Sequence, residues 1–492
     1  MHENDLKFTG DMSAADFRKY GYAMVDWIAN FFDTIEDRPV LPAIQPGDIR
    51  SKIPSSAPKL PEAFEKMIAD IDRVIMPGMT HWNHPRYLAY FSSVGSAPGV
   101  LGELLAAALN INGMLWQSCP SSTELEQVTT AWMRQLLGLP DHFFGVIYDT
   151  GSVSTMHALA AAREQMADLQ IREKGMTGRA DLPRLRLYIS EHTHSSIDKA
   201  ALALGIGMEG IRRIPSDANF AMQPEALRTA IQEDRSTGWR PFCVVATIGT
   251  TSTTAVDPVA EIANICERED LWLHVDAAYA GSAAILPEMQ HHFAGWEKAD
   301  SVLVNPHKWL FVPLDLSLMY TRKPGVLRRA FSLVPEYLRT AHDDNVVNFM
   351  DYGIPLGRRF RSIKLWFVLR YYGVDGLMAR LRYHIQLAQN LAQKIDADSD
   401  FEHVAPTQFS TVAFRACPAG WQDEDALNKL NARLLEAVNA TRRFYLTHTK
   451  IGGKFVLRIA IGNIRTEARH IEDVWQLLRT MLRDVLKNVQ NA

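Results

Sequence analysis

Residues 301–313 of this 492-residue chain read SVLVNPHKWLFVP. The apolar run 302–304 predicts a short buried strand, because strands covered on both faces are continuously apolar. The run stops at NPHK, residues 305–308, and the chain turns apolar again at Trp309. A lysine is costly to bury, so the amine of Lys308 either reaches solvent or does chemistry. The stretch therefore predicts a core strand with a candidate functional lysine at its carboxyl end.

Short apolar runs alternate with helical patterns around this stretch, from about residue 140 to residue 325. The expected strands are 145–149, 185–190, 242–249, 271–278, 301–305 and 316–321. Helical patterns at 156–170 and 259–269 lie between some of them. This alternation predicts an α/β fold with a mainly parallel central sheet.

The two ends of the chain have a different character. Ser13 and Asp16 form a candidate capping box for an N-terminal helix. The proline-rich residues 38–54 follow and predict an extended arm. Apolar residues at helical spacing between Ile471 and Val485 predict an amphipathic helix in a small α+β domain that begins near residue 370.

Composition excludes several classes of protein. The net charge of −4 argues against a nucleic-acid binder. No apolar run reaches the roughly 18 residues of a membrane span, and no secretory signal is recognisable. The four cysteines have no metal-binding or disulfide spacing, which favours the cytoplasm. The pair His291-His292 has no third ligand at a usual spacing, so we expect no metal site.

Polar residues follow several of the expected strands at their carboxyl ends, where ligands bind in open α/β sheets. They are Asp276, the group Asn305, His307 and Lys308, the hydroxyl-rich residues 250–252, His192 with His194, and Gly151 with Ser152 at the start of a helix. Each has a simpler explanation as a cap or turn residue. Together they match the needs of pyridoxal phosphate, namely a lysine amine, a carboxylate for the pyridine nitrogen and a phosphate cup at a helix N-terminus.

Longer motifs carry a family resemblance that spans nearly the whole chain. They are YAMVDWIANFF, IMPGMTHWNHPRYLAYF, STELE, HSS, HVDAAYAGSA, NPHKWL and IPLGRRFRSIKLWFVLR. With them the chain resembles the group II pyridoxal-phosphate decarboxylases, and closely the aromatic-L-amino-acid decarboxylases. The resemblance implies the fold type I of these enzymes, which is the aspartate aminotransferase-like fold.

The resemblance also implies roles for single residues. Lys308 corresponds to the lysine that holds the cofactor as a Schiff base, with His307 beside it. Asp276 corresponds to the partner of the pyridine nitrogen, Ala278 lies under the ring, and His194 is the imidazole that stacks on it. The remaining expected cofactor contacts are Gly151, Ser152, Thr251 and Asn305. Among apolar neighbours, the pKa of the Lys308 amine is expected to be lowered.

The resemblance places a further catalytic residue at Tyr337, in the register PEYL. There a loop tyrosine protonates Cα after carbon dioxide has left, which gives the amine. A phenylalanine at this position goes with aldehyde formation in related plant enzymes, so Tyr337 favours decarboxylation. An aromatic aldehyde synthase remains the alternative.

The expected substrate pocket departs from the family pattern. Its residues are Trp82, Tyr90, Phe91, Ser92, Ser93, Asn112, Met114 and Gly357. Ser92 replaces a familiar proline, and Asn112 and Met114 replace apolar residues that reach in from the partner subunit. Gly357 resembles the form that leaves room for large aromatic side chains. We expect Dopa, 5-hydroxytryptophan, tryptophan, tyrosine or phenylalanine as substrate, and a non-aromatic amino acid remains open.

The N-terminal helix and the arm need a surface to cover, and the family resemblance implies a homodimer with shared active sites. We therefore divide the chain into three parts. They are an N-terminal helical and extended dimerisation segment (1–95), a large pyridoxal-phosphate-binding α/β domain (96–369) and a small C-terminal α+β domain (370–492).

Overall fold

The computed structural model of the protein describes residues 10–333 and 345–490. Its centre is a seven-stranded sheet with the order β1-β7-β6-β5-β4-β2-β3. The strands are β1 (Phe144–Tyr148), β2 (Arg184–Ser190), β3 (Ile211–Ile214), β4 (Trp239–Thr247), β5 (Trp272–Asp276), β6 (Ser301–Val304) and β7 (Ser317–Thr321). Only β7 runs against the others, because it pairs antiparallel with both β1 and β6. The sheet confirms the predicted α/β class.

Within the central sheet, the six predicted strands lie close to observed strands, and one strand, β3, was not predicted. The unpredicted β3 carries Arg212 and Arg213 and forms an edge of the sheet beside β2. Charged side chains are typical of edge strands, where they discourage pairing with another chain. They also remove the apolar signal on which the prediction depends.

Helices cover both the sheet and the ends of the chain. In chain order they are α1 (Ala14–Asp33), α2 (Asp48–Lys52), α3 (Phe64–Asp70), α4 (Ala97–Leu109), α5 (Pro120–Leu137), α6 (Gly151–Glu164), α7 (Ile171–Lys174), α8 (Ser196–Ala203), α9 (Pro224–Ser236), α10 (Val259–Glu269), α11 (Pro306–Trp309), α12 (Pro324–Phe331), α13 (Ser362–Asp396), α14 (Glu424–Ala440) and α15 (Ala468–Gln490). Helix α10 has the predicted bounds, whereas α6 begins at Gly151, five residues before the predicted start. Across the described ranges, no helix combines the length and the apolar character needed to cross a bilayer.

A second sheet lies towards the C-terminus and is antiparallel, with the order β10-β11-β9-β8. Its strands are β8 (Phe401–His403), β9 (Thr411–Ala416), β10 (Thr447–Ile451) and β11 (Lys454–Ala460). Apolar side chains from this sheet, α14, α15 and the end of α13 form a core of their own. Helix α13 crosses residue 370 and leaves helical geometry at Gly373, where φ is +63°. We keep a domain boundary near residue 370 as a proposal.

The N-terminal region begins as the sequence predicts. Ser13 caps α1, since its Oγ accepts a hydrogen bond from the Asp16 backbone N–H at 3.1 Å. The proline-rich stretch contains only the short helix α2. Residues 82–92, which we name the pocket segment, contact the C-terminal part of the chain. Leu88 of this segment is fully buried in the C-terminal core.

Candidate active site

A cavity of about 220 Å³ lies at the carboxyl ends of the central strands. Its wall includes every predicted cofactor contact: Gly151, Ser152, His194, Thr251, Asp276, Ala278, Asn305, His307 and Lys308. Thr150, Ser196, Thr247, Gly249, Tyr279 and Leu303 also line it, together with Phe91 from the pocket segment. The fold thus brings residues from six separate stretches of sequence to one place.

Asp276 and Lys308 come to the cavity on neighbouring strands. Asp276 is the last residue of β5 and lies opposite Leu303 of β6 in parallel register. Lys308 lies in the single turn α11 that follows β6. Burial lowers the pKa of the Lys308 amine, and the negative charge of Asp276 opposes part of that shift. A lysine with a lowered pKa has more of the neutral amine that attacks a carbonyl group.

Asp276 and Asn305 are held through Ala278. The Ala278 N–H donates to Asp276 Oδ1 at 3.0 Å, and its carbonyl accepts the Asn305 N–H at 3.0 Å. The Asn305 side chain is fixed as well, since the Ser317 hydroxyl donates to its Oδ1 at 2.7 Å. These bonds fix the carboxylate and the amide on one side of the cavity.

Helix α6 opens onto the cavity with Gly151 and Ser152. A Cβ atom at Gly151 would lie 2.7 Å from Asn305 Nδ2, which is too close for a larger residue to fit without movement. The first N–H groups of a helix have no partner within it, and the helix dipole makes this end positive. This end of the cavity is therefore suited to a phosphate group.

His194 and His307 are both held through one ring nitrogen. The Ser196 N–H donates to His194 Nδ1 at 3.1 Å, and the Leu316 N–H donates to His307 Nδ1 at 3.0 Å. Burial lowers the pKa of His194, and it lowers the pKa of His307 to about 4. Both rings are therefore neutral at pH 7. Because Nδ1 is an acceptor in each, the proton lies on Nε2.

Thr251 reaches the cavity from a tight loop after β4. Gly249 has a φ of +86°, and a Cβ there would lie 2.5 Å from the Cβ of Ala280. The Thr250 hydroxyl accepts the Ala255 N–H at 3.0 Å and pairs with the Thr253 hydroxyl at 3.0 Å. This loop is closed by its own hydroxyl groups, which leaves Thr251 exposed at the cavity.

Aromatic rings form another part of the wall. Phe91 stacks on Tyr279 with 3.9 Å between ring centroids, and Tyr279 stacks on Trp309 at 4.7 Å. The Lys308 Nζ lies 5.3 Å from the centre of the Phe91 ring. The position of the stack was not predicted, although Phe91 was expected to contact substrate.

The other predicted pocket residues do not line this cavity. Ser92 is buried beside Gly462, and Tyr90 lines an adjoining cavity of about 410 Å³ that also includes Thr251. Trp82 stacks on Tyr90, while Ser93 is half-buried next to Ser92. Their contact with substrate stays a prediction.

Asn112, Met114 and Gly357 form a separate cluster. The Asn112 amide lies 3.6 Å from the Met114 sulfur, and its Oδ1 accepts the Arg358 N–H at 2.9 Å. A Cβ at Gly357 would lie 3.7 Å from Asn112 Nδ2. These residues do not line the cofactor cavity of the same chain. That they enter the site of a second copy stays a prediction.

Sequence reasoning missed Arg458 of β11. Its guanidinium carbon lies 5.4 Å from the centre of the Phe91 ring, and its Nε donates to the Ser252 carbonyl at 3.0 Å. It forms no ion pair with the described residues, and burial lowers its pKa to about 10. A positive charge here favours anionic ligands nearby. The signal was an arginine inside the apolar run FVLRIAI.

Tyr337, the expected proton donor, lies outside the described residues.

The residues present fit pyridoxal phosphate. The amine with a lowered pKa, the buried carboxylate and the positive helix end all face one cavity. The close contact between Gly151 and Asn305 leaves backbone rather than side chain at the start of α6. Pyridoxal phosphate requires three such groups: an amine to bond its aldehyde, a carboxylate for its pyridine nitrogen and a cup for its phosphate.

Comparisons with known proteins agree with this geometry. Residues 46–417 match the model of the pyridoxal-dependent decarboxylase conserved domain. Tryptophan decarboxylase 2 of Oryza sativa subsp. japonica is 43% identical over 96% of this chain and 96% of its own length. Phenylacetaldehyde synthase of Arabidopsis thaliana is 40% identical over 97% and 98%.

A solved structure shows the same relation in three dimensions. The crystal structure of Oryza sativa TDC with PLP and tryptamine superposes with a TM-score of 0.92 at 37% identity, over 96% of this chain and 99% of that one. The similarity in sequence covers nearly the whole of both chains, and the site geometry fits the cofactor. The chain therefore belongs to the pyridoxal-dependent decarboxylase family and is a decarboxylase that uses pyridoxal phosphate.

Proposed function

We propose that this enzyme removes the carboxyl group of an aromatic L-amino acid and releases the amine and carbon dioxide. The observation that carries the proposal is the cavity in which Lys308, Asp276 and the start of α6 meet beside the stacked rings of Phe91 and Tyr279. A flat aromatic side chain packs favourably against such rings. Relatives with 40% identity or more include a tryptophan decarboxylase, which supports an aromatic substrate.

When bound, pyridoxal phosphate supplies a protonated ring that accepts the electron pair left at Cα. Asp276 holds the proton on the pyridine nitrogen, because a buried carboxylate favours a positive charge beside it. Lys308 would hold the cofactor covalently, because its buried amine has a lowered pKa and faces the cavity. The first turn of α6 and Asn305 would hold the phosphate end.

The two neutral histidines act as positioned donors in this proposal. In His194 and His307, Nδ1 accepts a backbone hydrogen bond, so the ring proton lies on Nε2 and can be donated. His194 lines the cavity and would cover the ring of the cofactor, and His307 lies next to Lys308. Tyr337 donates its hydroxyl proton to Cα after carbon dioxide has left, which completes the amine.

A product assay tests the proposal. The purified, cofactor-loaded enzyme receives Dopa, 5-hydroxytryptophan, tryptophan, tyrosine, phenylalanine, histidine, glutamate or 2,4-diaminobutyrate, and amine, aldehyde and hydrogen peroxide are measured. Aromatic amine without stoichiometric peroxide is the expected result. The variant Lys308→Ala serves as the control for cofactor-dependent turnover.

Other outcomes would replace the proposal. Aldehyde together with peroxide would make the enzyme an aldehyde synthase, as one relative of 40% identity is named. Turnover of only a non-aromatic amino acid would mean that polar residues such as Asn112 and Ser92 decide the substrate.

We further propose that the enzyme is a homodimer. Helix α1 buries none of its side chains, and Phe17 and Tyr22 are largely exposed. On α4, Leu101, Leu104, Leu105 and Leu109 are exposed on a single helix. Adjacent exposed apolar side chains of this kind mark a protein interface. In a dimer, each copy would cover these side chains of the other. Asn112 and Met114 of each copy would then lie towards the cavity of the other copy.

A matched pair of substitutions tests the dimer. Leu104 is 54% exposed and Leu202 is 55% exposed, so Leu104→Asp and Leu202→Asp change equally exposed leucines. We expect the first to give monomers in sedimentation velocity and the second to leave the dimer intact. A dimeric Leu104→Asp variant would contradict the proposed interface, as would a folded and active enzyme lacking residues 1–50.

We also propose a cytoplasmic location. All four cysteines are unpaired, and Cys243 and Cys266 are buried with pKa values raised by burial. Free thiols are typical of a reducing compartment. Cell fractionation with an antibody to the enzyme would test the location.

A further inference from the structure

The pocket segment, residues 82–92, belongs to the C-terminal domain through its hydrogen bonds. The Leu88 N–H donates to the Tyr445 carbonyl at 3.0 Å, and the Leu88 carbonyl accepts the Ala460 N–H at 2.9 Å. The Tyr445 N–H donates to the Arg86 carbonyl at 3.3 Å. With the Leu88 side chain in the C-terminal core, these hydrogen bonds and an isolated β-bridge between Tyr87 and Tyr445 attach this part of the segment to the C-terminal domain.

The other end of the segment is held in the same way. Asn463 Nδ2 donates to the carbonyls of Trp82 and His84, at 3.3 and 2.9 Å. The Thr466 hydroxyl donates to the Pro85 carbonyl at 2.7 Å. Residues that follow β11 therefore fix the start of the segment, and the residues before and in β10 fix its end.

Tyr90 is the point of strain in this arrangement. Its φ of +51° lies in the left-handed region, which costs a large side chain of the order of 1 kcal/mol or more. The Thr447 hydroxyl accepts the Tyr90 N–H at 3.4 Å. The Tyr90 ring stacks on Trp82 and meets Tyr445 edge-on at 5.9 Å. Such a conformation persists only where the surroundings enforce it.

One contact of Tyr90 is specific to its side chain. The Tyr90 and Tyr445 hydroxyls lie 3.2 Å apart and form a hydrogen bond. Burial raises the pKa of Tyr445 to about 12, so this hydroxyl stays protonated and able to donate. Tyr90 borders the cavity that shares Thr251 with the cofactor cavity. The orientation of its ring therefore shapes the space next to the cofactor.

We infer that Tyr445 of the C-terminal domain is a positioning residue that sets substrate specificity by holding the Tyr90 ring through the paired hydroxyls. The inference rests on the proposed function, since it concerns how an aromatic substrate is recognised. Tyr445 does not line the cofactor cavity. It acts on affinity through Tyr90, so its loss changes KM and the ratio between substrates, while kcat and the cofactor absorbance stay unchanged.

A conservative pair of variants tests this role. Tyr445→Phe removes the paired hydroxyl and keeps the ring. Tyr87→Phe is the matched control, because Tyr87 packs against Tyr445 at 5.6 Å and its hydroxyl has no hydrogen-bond partner among the described residues. In Tyr445→Phe the freed Tyr90 ring must be ordered when substrate binds, and a cost of about one hydrogen bond predicts a rise in KM of about three- to ten-fold. The control should keep the wild-type KM.

A double variant shows whether Tyr445 acts through Tyr90. If it does, Tyr445→Phe has no further effect on KM in the Tyr90→Phe background, because the bond is already lost. Full additivity of the two effects would overturn the inference. So would an unchanged KM and an unchanged ratio between tryptophan and Dopa in the single variant.

Hydrogen exchange gives a test that does not need turnover. In the holoenzyme, peptides covering residues 86–92 should exchange faster in Tyr445→Phe than in Tyr87→Phe, because the segment loses a side-chain anchor. Equal exchange in the two variants would overturn the positioning role, whatever the substrate is. A wild-type enzyme that turns over no aromatic amino acid would refute the proposed function separately, and the exchange result would still decide whether Tyr445 holds Tyr90.

Discussion

Replacing Gly151 with alanine tests the contact at the start of α6 on which the phosphate site depends. The added Cβ would lie 2.7 Å from Asn305 Nδ2 and 3.4 Å from its Oδ1. Asn305 has little freedom to move, since it is 2% exposed and its Oδ1 is bound by Ser317. Ser317 is in turn bound to Ser154 at 2.7 Å.

The size of the effect follows from these contacts. Adding a methyl group to a well-packed site costs about 1–3 kcal/mol. The cost falls where the phosphate is held, so the affinity for pyridoxal phosphate should decrease by about 5- to 150-fold. Helix propensity alone favours alanine over glycine and would stabilise α6. A loss of affinity for pyridoxal phosphate would therefore have to come from the steric contact.

The assay is equilibrium binding of pyridoxal phosphate to the apoenzyme, followed by the absorbance of the lysine-bound cofactor. Gly325→Ala in α12 is the control, because a Cβ there has no heavy atom within 4 Å. We expect wild-type affinity for this control and a small gain in thermal stability. A Gly151→Ala enzyme that binds the cofactor with wild-type affinity would refute the steric reasoning and remove Gly151 from the phosphate site.

Four further outcomes are expected. Lys308→Ala should lose the absorbance band of lysine-bound pyridoxal phosphate, and a band that persists would exclude Lys308 as its attachment point. Asp276→Asn keeps the shape but loses the charge, so kcat should fall by about 100-fold or more, and steady-state kinetics would show it. Tyr337→Phe should still release carbon dioxide but shift the product from amine to aldehyde; an unchanged yield of amine would remove Tyr337 from the mechanism. Hydrogen bonding from Arg469 lowers the pKa of Glu36 from 4.5 to about 2, so its contribution to stability is present above pH 4.5 and is lost as the pH falls towards 2. In Glu36→Gln, Tm should therefore decrease less steeply over this pH range than in the wild type, which calorimetry of both proteins would measure. Equal slopes in the two proteins would contradict the stabilising role of Glu36.

The central sheet was predictable where strands are buried on both faces. The runs that became β4, β5 and β6 are almost continuously apolar, and the structure buries most of them fully. The placing of Asp276 and Lys308 followed from the rule that parallel strands end at the same edge. The reversed direction of β7 could not be predicted, because burial on both faces does not depend on strand direction.

The residues that sequence analysis missed share one property. Arg458 and Tyr445 reach the site from more than 160 residues beyond the cavity residue Asp276, and local periodicity contains no information about such contacts. Arg458 had a weak signal in its apolar run, whereas Tyr445 lies among arginines and threonines that resemble an ordinary surface turn. The left-handed Tyr90 was equally hidden, since nothing in the letters RYLAYF departs from a plain strand.

The attachment of the pocket segment has a consequence for protein engineering. Leu88 is packed in the C-terminal core and is hydrogen-bonded to Tyr445 and Ala460, so residues 82–92 do not form an exchangeable cassette. A chimera that takes only this segment from another decarboxylase would place its side chains against C-terminal residues that do not match them. Transfer of substrate preference should require the segment and residues 440–466 to be transplanted together, although the two are about 350 positions apart in the chain.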